Sequence, residues 1–385
     1  MRDELARPRA RLRILQIAPP WFTVPPVGYG GIEQIVSLLT DGLVDAGHDV
    51  TLLASGGSTT SARLVTAFPE PPSADLGSSV HELTHSMVGF ARRHEFDLVH
   101  DHSGFCGAAL GSVLDGPPVV HTLHGPWTPT VQEFFRQASP GLHLVSISHD
   151  QRSRAPSGVT VTDTVHNGIS LETHPFQPRP EPDAHLAFVG RASAEKGPEV
   201  AVRVARRVGR PLQMAVKVNE PEERRYWDTV VAPLLDGADV EVRLNGSKQD
   251  ALDVMSGATA TLFPISWPEP FGLVMVESMA LGTPVVGYAS GASTEVVGSG
   301  RTGFLVAPGD VDGLCAGLEL AADLDREDCR RHVAANFSAA AMVMGYERVY
   351  QRLVTCPGAP PVASPTNTST APRPLDAPRT SQTPS

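Results

Sequence analysis

The sequence predicts an α/β protein of two doubly wound domains, each a parallel sheet wrapped by helices. Three observations carry this reading. Apolar runs of strand length alternate with segments of helical spacing through most of the 385 residues, the pattern that parallel sheets with helical crossovers require. The alternation stops once, in a proline-rich stretch over 175–182, and then restarts, which marks a linker between two units. With 41% hydrophobic and 19% charged residues, the chain is also long enough to bury two cores of ordinary size.

Taken in order, the first unit opens with a strand over 13–18, a long loop over 19–31, a helix over 32–46 and a second strand over 49–54. In that helix Ile35, Val36, Leu39 and Leu43 recur at helical spacing. Further strands are expected at 98–100, 119–123, 142–147 and 161–165. Past the linker, strands are expected at 186–189, 213–218, 240–244, 261–264, 285–288 and 304–306, separated by helices such as 198–208, 221–235 and 249–256. The domains are therefore set at 1–174 and 183–338, with a terminal helix over 339–356 crossing back to the first domain. The tail over 357–385 is rich in Pro, Ser and Thr and has no aromatic residue, so it is expected not to fold.

A formal net charge of −11 argues against nucleic acid or an anionic membrane surface as partner, since either needs a basic face. Any phosphate must then be held locally. The four cysteines, Cys106, Cys315, Cys329 and Cys356, lack the paired short spacing of a metal site and read as free thiols. Residues 1–13 are charged and the apolar run after them is one strand long, so neither a signal peptide nor a membrane span is expected and the location is expected to be cytoplasmic.

The most informative stretch is Glu269-Pro-Phe-Gly-Leu-Val-Met-Val-Glu277. Pro270 suits a first helical position, which would aim the amides of 271–274 into the preceding turn as an anion site. The helix is apolar nearly all round (Phe271, Leu273, Val274, Met275, Val276, Met279, Leu281), so Glu277 is expected to accept hydrogen bonds from a bound polyol or from nearby donors. The plainer reading is an incidental glutamate on a solvated face. In the loop Gly190-Arg-Ala-Ser-Ala-Glu-Lys-Gly197, Arg191 and Lys196 leave the carboxyl end of a strand, where ligands of open α/β sheets sit, and are the groups a diphosphate needs.

Asp310/Asp312 and Asp323/Asp325 have metal-site spacing, but capping of late helices explains them, and no metal is expected. Gly28, Gly30 and Gly31 precede a helix and allow close ligand approach, although their spacing is not the dinucleotide fingerprint. Histidines cluster at strand ends, His100 and His102, then His121 and His124. His124, followed by Gly-Pro, is the one singled out for the cleft. Trp21, Phe22 and Trp127 are candidate stacking surfaces for an acceptor.

With these residues in place, the chain resembles the retaining glycosyltransferases of family 4, over about residues 12–354. The paired glutamates Glu269 and Glu277 at full spacing, the Gly190–Gly197 loop and Gly30-Gly31 carry the resemblance. It implies the GT-B fold, in which two Rossmann-like domains face a cleft. It also implies a nucleoside-diphosphate sugar donor and no further cofactor. By the same resemblance Glu269 and His124 stand at the reacting sugar, and Glu277 at the donor ribose. Arg191, Lys196, Gly272, Leu273 and Gly31 hold the diphosphate, and Gly30, Trp21, His102 and Trp127 lie on the acceptor side. A glycoside hydrolase is disfavoured because its two carboxylates would flank the bond rather than share one helix. A nucleotide-sugar-binding subunit without catalysis is the alternative. Base, sugar, acceptor and oligomeric state stay open.

Overall fold

The computed structural model describes residues 11–28, 30–181 and 184–355; the expectation for the tail over 357–385 lies outside them. In the first domain β1 (Arg13–Ile17), β2 (Asp49–Ala54), β3 (Arg63–Thr66), β4 (Leu98–Asp101), β5 (Val119–Leu123), β6 (His143–Ser146) and β7 (Val161–Thr164) form one sheet. Their order is β3-β2-β1-β4-β5-β6-β7, and every pairing is parallel. In the second, β8 (Leu186–Arg191), β9 (Leu212–Lys217), β10 (Val240–Leu244), β11 (Ala260–Phe263), β12 (Val285–Tyr288) and β13 (Gly303–Val306) run parallel in the order β10-β9-β8-β11-β12-β13. Strands such as β5 and β12 are buried along their whole length, as apolar runs covered by helices on both faces must be.

The strand order reverses between β1 and β4 and again between β8 and β11. Successive crossovers there leave to opposite faces, and the carboxyl ends of the strands open a crevice. Residues 18–28, 30–31 and 102–104 therefore lie at one crevice, and residues 192–197 and 264–272 at the other.

Local departures from the expected pattern have clear causes. Strand β3 and the helices Ser79–Phe90, Phe105–Val113 and Pro129–Ala138 escaped the sequence pattern; β3 is short and half-buried, and Ser79–Phe90 buries chiefly His85, Ser86, Gly89 and Phe90. Residues 221–235 are not one helix. A helix over Pro221–Tyr226 gives way to a wide turn over Trp227–Val231 and a tight one over Ala232–Leu234, where Pro233 has no N–H to continue the ladder.

The terminal helix Ala339–Thr355 lies on the first domain. Tyr346 and Tyr350, both fully buried, join the core formed by Ile14, Ile35, Leu39, Val120 and Val145. Between the domains, Ile147 and Ile169 share an apolar cluster with Phe271, Met275 and Phe337. Among the described residues no helix is long and apolar enough to cross a membrane, and Cys106, Cys315 and Cys329 are free thiols.

Candidate active site

The helix carrying Glu277 begins later than its sequence suggests. It spans Leu273–Leu281 with Gly272 as N-cap at φ 86°, so Pro270 and Glu269 lie in the turn before it. Glu269 is thus not a helical residue, and the two glutamates do not share one helix. The left-handed Gly272 explains the shift: a Cβ there would stand 2.7 Å from Met275 Cε and 3.0 Å from Phe263 Cζ, and that conformation suits glycine. Gly272 has no side chain to cap the helix, and while the Met275 N–H bonds the Gly272 carbonyl at 3.0 Å, the amides of Leu273 and Val274 remain available to an anion at the positive end of the dipole.

The Glu269 turn is clamped from two sides. Its N–H bonds the carbonyl of Trp267 (2.8 Å) and its carbonyl accepts from Ala292 (3.0 Å). Gly291 packs so closely that a Cβ would fall 2.4 Å from the Glu269 nitrogen. The Arg191–Lys196 loop is laced to the same turn by a bond from the Ser266 N–H to the Glu195 carbonyl at 3.1 Å. These contacts bring Lys196 Nζ to 2.5 Å from Glu269 Oε2, with both side chains about one-seventh exposed (14% and 15%), and place the ammonium 5.3 Å from the Trp267 ring centroid. Arg191 is held more loosely, 3.2 Å from Glu223 and 3.5 Å from Glu195.

Glu277 has a nearby donor that the sequence reading did not name: Lys248 Nζ lies 3.3 Å away. Lys248 opens the helix Lys248–Met255, behind the Ser247 capping box, a start signal readable in the sequence. His174 is near enough to feel the charge of Glu277, although burial, the larger effect, lowers its pKa. Its Nδ1 bonds the Ser170 carbonyl at 2.7 Å. Ser193 Oγ, Trp267 Nε1 and His174 Nε2 are buried without a protein partner among the described residues, and such groups call for a partner.

Across the crevice, Gly31 begins the helix Gly31–Asp45, and a Cβ on it would sit 3.6 Å from Leu273 Cδ1. The glycine loop of one domain thus meets the helix start of the other. The Leu273 side chain itself packs on the first domain's core. His124 Nε2 lies 2.9 Å from His102 Nδ1. Burial, and then the charge of His121, push His124 down to about 3.

Two acceptor-side expectations, Trp21 and His102, need correction, while Trp127 stays half-buried. Trp21 is buried at 8% exposure, so it serves the core rather than offering a stacking face. Trp127 gives its Nε1–H to the Gln151 carbonyl (2.8 Å) and stands edge-on to Phe135. His102 is 2% exposed, and its two ring nitrogens face His124 and Gln16, which closes it to an acceptor. Gly30 is buried beneath Pro26 and beside Glu33.

Among the described residues, one group stands close enough to share a cation: the ligand atoms of His149, His166 and Glu295 lie within 4.8 Å of one another. Its carboxylate is already committed. Glu295 accepts from the backbone N–H groups of His149 (2.9 Å) and Asp150 (3.0 Å) and lies 2.9 Å from His166 Nε2. Burial opposes its ionisation, yet these bonds hold its pKa below the usual glutamate range. Glu295 therefore latches the second domain to the first. Asp310 and Asp325 cap their helices by accepting from the N–H groups of Gly313 and Glu327.

Comparison with known proteins agrees with this geometry. Residues 29–173 match Glycosyltransferase Family 4, and residues 170–336 match Glycosyl transferases group 1. The glycogen synthase of Mycobacterium tuberculosis (strain ATCC 25618 / H37Rv) is 28% identical over 380 residues, covering 84% of this chain and 89% of that one. The MMP alpha-(1->4)-mannosyltransferase of Mycolicibacterium hassiacum is 29% identical over 333 residues, covering 75% and 78%. AviGT4, a glycosyltransferase involved in avilamycin A biosynthesis, has a similar solved structure, with a TM-score of 0.69 at 26% identity over 90% of this chain and 99% of that one. Two facing parallel-sheet domains, matched almost end to end by these two family descriptions, make this chain a family 4-type glycosyltransferase of the GT-B fold.

Proposed function

We propose that the protein is a retaining transferase that moves a sugar from a nucleoside-diphosphate sugar to a small-molecule or lipid-linked acceptor, without a metal or other cofactor. The observation that carries this is the Lys196–Glu269 pair at 2.5 Å, set beside the uncapped start of the Leu273–Leu281 helix and opposite Gly31. Lys196, Arg191 and the helix amides supply positive charge where a leaving diphosphate develops negative charge. Gly31 gives the phosphates room, and the amides of Gly272 and Leu273 serve as their donors. Glu269 holds a sugar hydroxyl, and Glu277 a ribose hydroxyl in partial exchange for Lys248.

Retention is supported by the state of the two candidate bases among the described residues, His102 and His124. An inverting reaction needs a group opposite the leaving diphosphate to take the acceptor proton. His102 is buried with both nitrogens engaged, and His124, pushed down to about 3, is a weak base at neutral pH. In the proposed course the anomeric C–O bond breaks toward an oxocarbenium-like state, the acceptor oxygen attacks from the leaving-group face, and the β-phosphate oxygen takes its proton. Proton NMR of the product tests this through the anomeric coupling constant. An α-linked donor should give an α-linked product; a β-linked one would overturn the retaining assignment.

A further inference from the structure

A chain of hydrogen bonds runs from His124 at the cleft to the terminal helix that covers one face of the first sheet. His124 Nε2 meets His102 Nδ1 at 2.9 Å, and His102 Nε2 meets Gln16 Oε1 at 3.1 Å. Gln16 Nε2 donates to the Tyr350 hydroxyl at 3.2 Å and lies 3.4 Å from His100 Nδ1. The Tyr350 hydroxyl is 2.6 Å from His100 Nδ1. His100 Nε2 then meets the Thr122 hydroxyl at 2.7 Å, and that hydroxyl lies 2.9 Å from the Tyr346 hydroxyl. Gln16, His100, Tyr346 and Tyr350 are fully buried. Burial, ahead of the neighbouring histidines, keeps the pKa of His100 and of His102 well below the ordinary value, so both rings are neutral.

In neutral imidazole one nitrogen donates and the other accepts, so one fixed polarity propagates along such a chain. The oxygen of the Gln16 amide can only accept. His102 must then carry its proton on Nε2, which leaves Nδ1 as acceptor, and His124 must donate through its own Nε2–H. The same amide orientation sets the other end: the Gln16 nitrogen can only donate, so the Tyr350 hydroxyl accepts from it and gives its proton to His100 Nδ1. Among the described residues nothing bonds His124 Nδ1, and that atom is not fully buried.

We propose that Gln16, with Tyr350 of the terminal helix behind it, is a positioning residue that fixes His124 as the Nε2–H tautomer, so that His124 offers Nδ1 to the sugar as a hydrogen-bond acceptor. The catalytic half of this rests on the proposed placement of His124 at the donor sugar; the tautomer does not. Neither Gln16 nor Tyr350 touches the substrate. Their effect passes through His102.

Long-range ¹H–¹⁵N spectra of histidine rings test it in the full-length protein at neutral pH, with His124→Asn used to assign the signal. Wild type should show His124 and His102 protonated at Nε2. Gln16→Met removes the amide oxygen, frees His102 to turn its polarity over, and should shift His124 toward Nδ1–H. In the same variant kcat should fall about tenfold or more, the scale of one hydrogen bond left unmade, with donor KM little changed. Nδ1–H on His124 in wild type would overturn the proposal, and so would an unchanged tautomer in Gln16→Met. An altered tautomer with unchanged turnover would overturn the catalytic half. Should Gln16→Met fail to fold, the wild-type spectrum still decides the tautomer. Failure of the transferase reading would show separately, as no sugar transfer by wild type.

Discussion

Replacing Glu33 by Gln should make the protein more stable at neutral pH and leave it nearly unchanged at acid pH. Glu33 lies in the first turn of the Gly31–Asp45 helix, 4% exposed, with Oε2 2.9 Å from where a Cβ on Gly30 would stand. Burial raises its pKa from 4.5 to about 7, only partly offset by a bond from its own backbone N–H. Below pH 4.5 folded and unfolded chains both hold the proton, and the contribution to stability is fully present. Between pH 4.5 and 7 the unfolded chain releases a proton that the folded chain keeps, so stability is lost as pH rises. At about 1.4 kcal/mol per pH unit, the span from 4.5 to about 7 is worth about 3 kcal/mol. Glutamine accepts the same backbone bond without a charge. Melting temperatures of both proteins measured from pH 4.5 to 8 should diverge by several degrees, with the gap opening up to pH 7 and then holding. Comparing the pair cancels every other titrating group. A gap that stays constant with pH, or that widens toward acid, would refute a neutral buried Glu33.

Other substitutions and conditions probe the site and its ionisable groups. Glu269→Gln, which loosens the pair with Lys196, should lower kcat about tenfold or more with a smaller effect on donor KM, and Glu277→Ala should chiefly raise donor KM; steady-state kinetics separate the two. Activity should survive a strong chelator; loss under EDTA that magnesium or manganese restores would contradict diphosphate neutralisation by protein groups alone. Burial, the main cause, lowers His85 to about 4 and His124 to about 3. The unfolded chain therefore takes up protons at these two histidines from pH 6.5 downward while the folded one does not, their contribution to stability should fall from pH 6.5 toward 4, and the stability difference between wild type and His85→Gln should change over that range. Gly272→Ala should reduce donor affinity and melting temperature together, because φ 86° and the 2.7 Å approach to Met275 leave no room for a methyl; calorimetric titration with a nucleoside-diphosphate sugar measures the first.

The sequence by itself determined the two parallel-sheet units and most of the strands that frame the crevice. Strands such as Val119–Leu123 and Val285–Tyr288 are buried along their whole length, and a run of this kind can be read without knowledge of its neighbours. Helix signals held where they are local, as at Pro198–Val208, which is closed by Gly209 in the left-handed region. Sequence also named both sides of the crevice, because chemistry-bearing residues that follow strand ends must gather at a switch point. Tertiary structure decided what each of them touches. The start of the Glu277 helix moved to Leu273 because Met275 and Phe263 crowd Gly272. Trp21 went to the core and His102 into a buried chain, since exposure depends on which loop folds over which. The partners Lys196–Glu269 and Lys248–Glu277 lie 73 and 29 residues apart in sequence, and Gln16 and Tyr350 are separated by 334. Pairings at that range leave no periodic trace, since they arise only when sheet order and a returning terminal helix bring distant strand ends together.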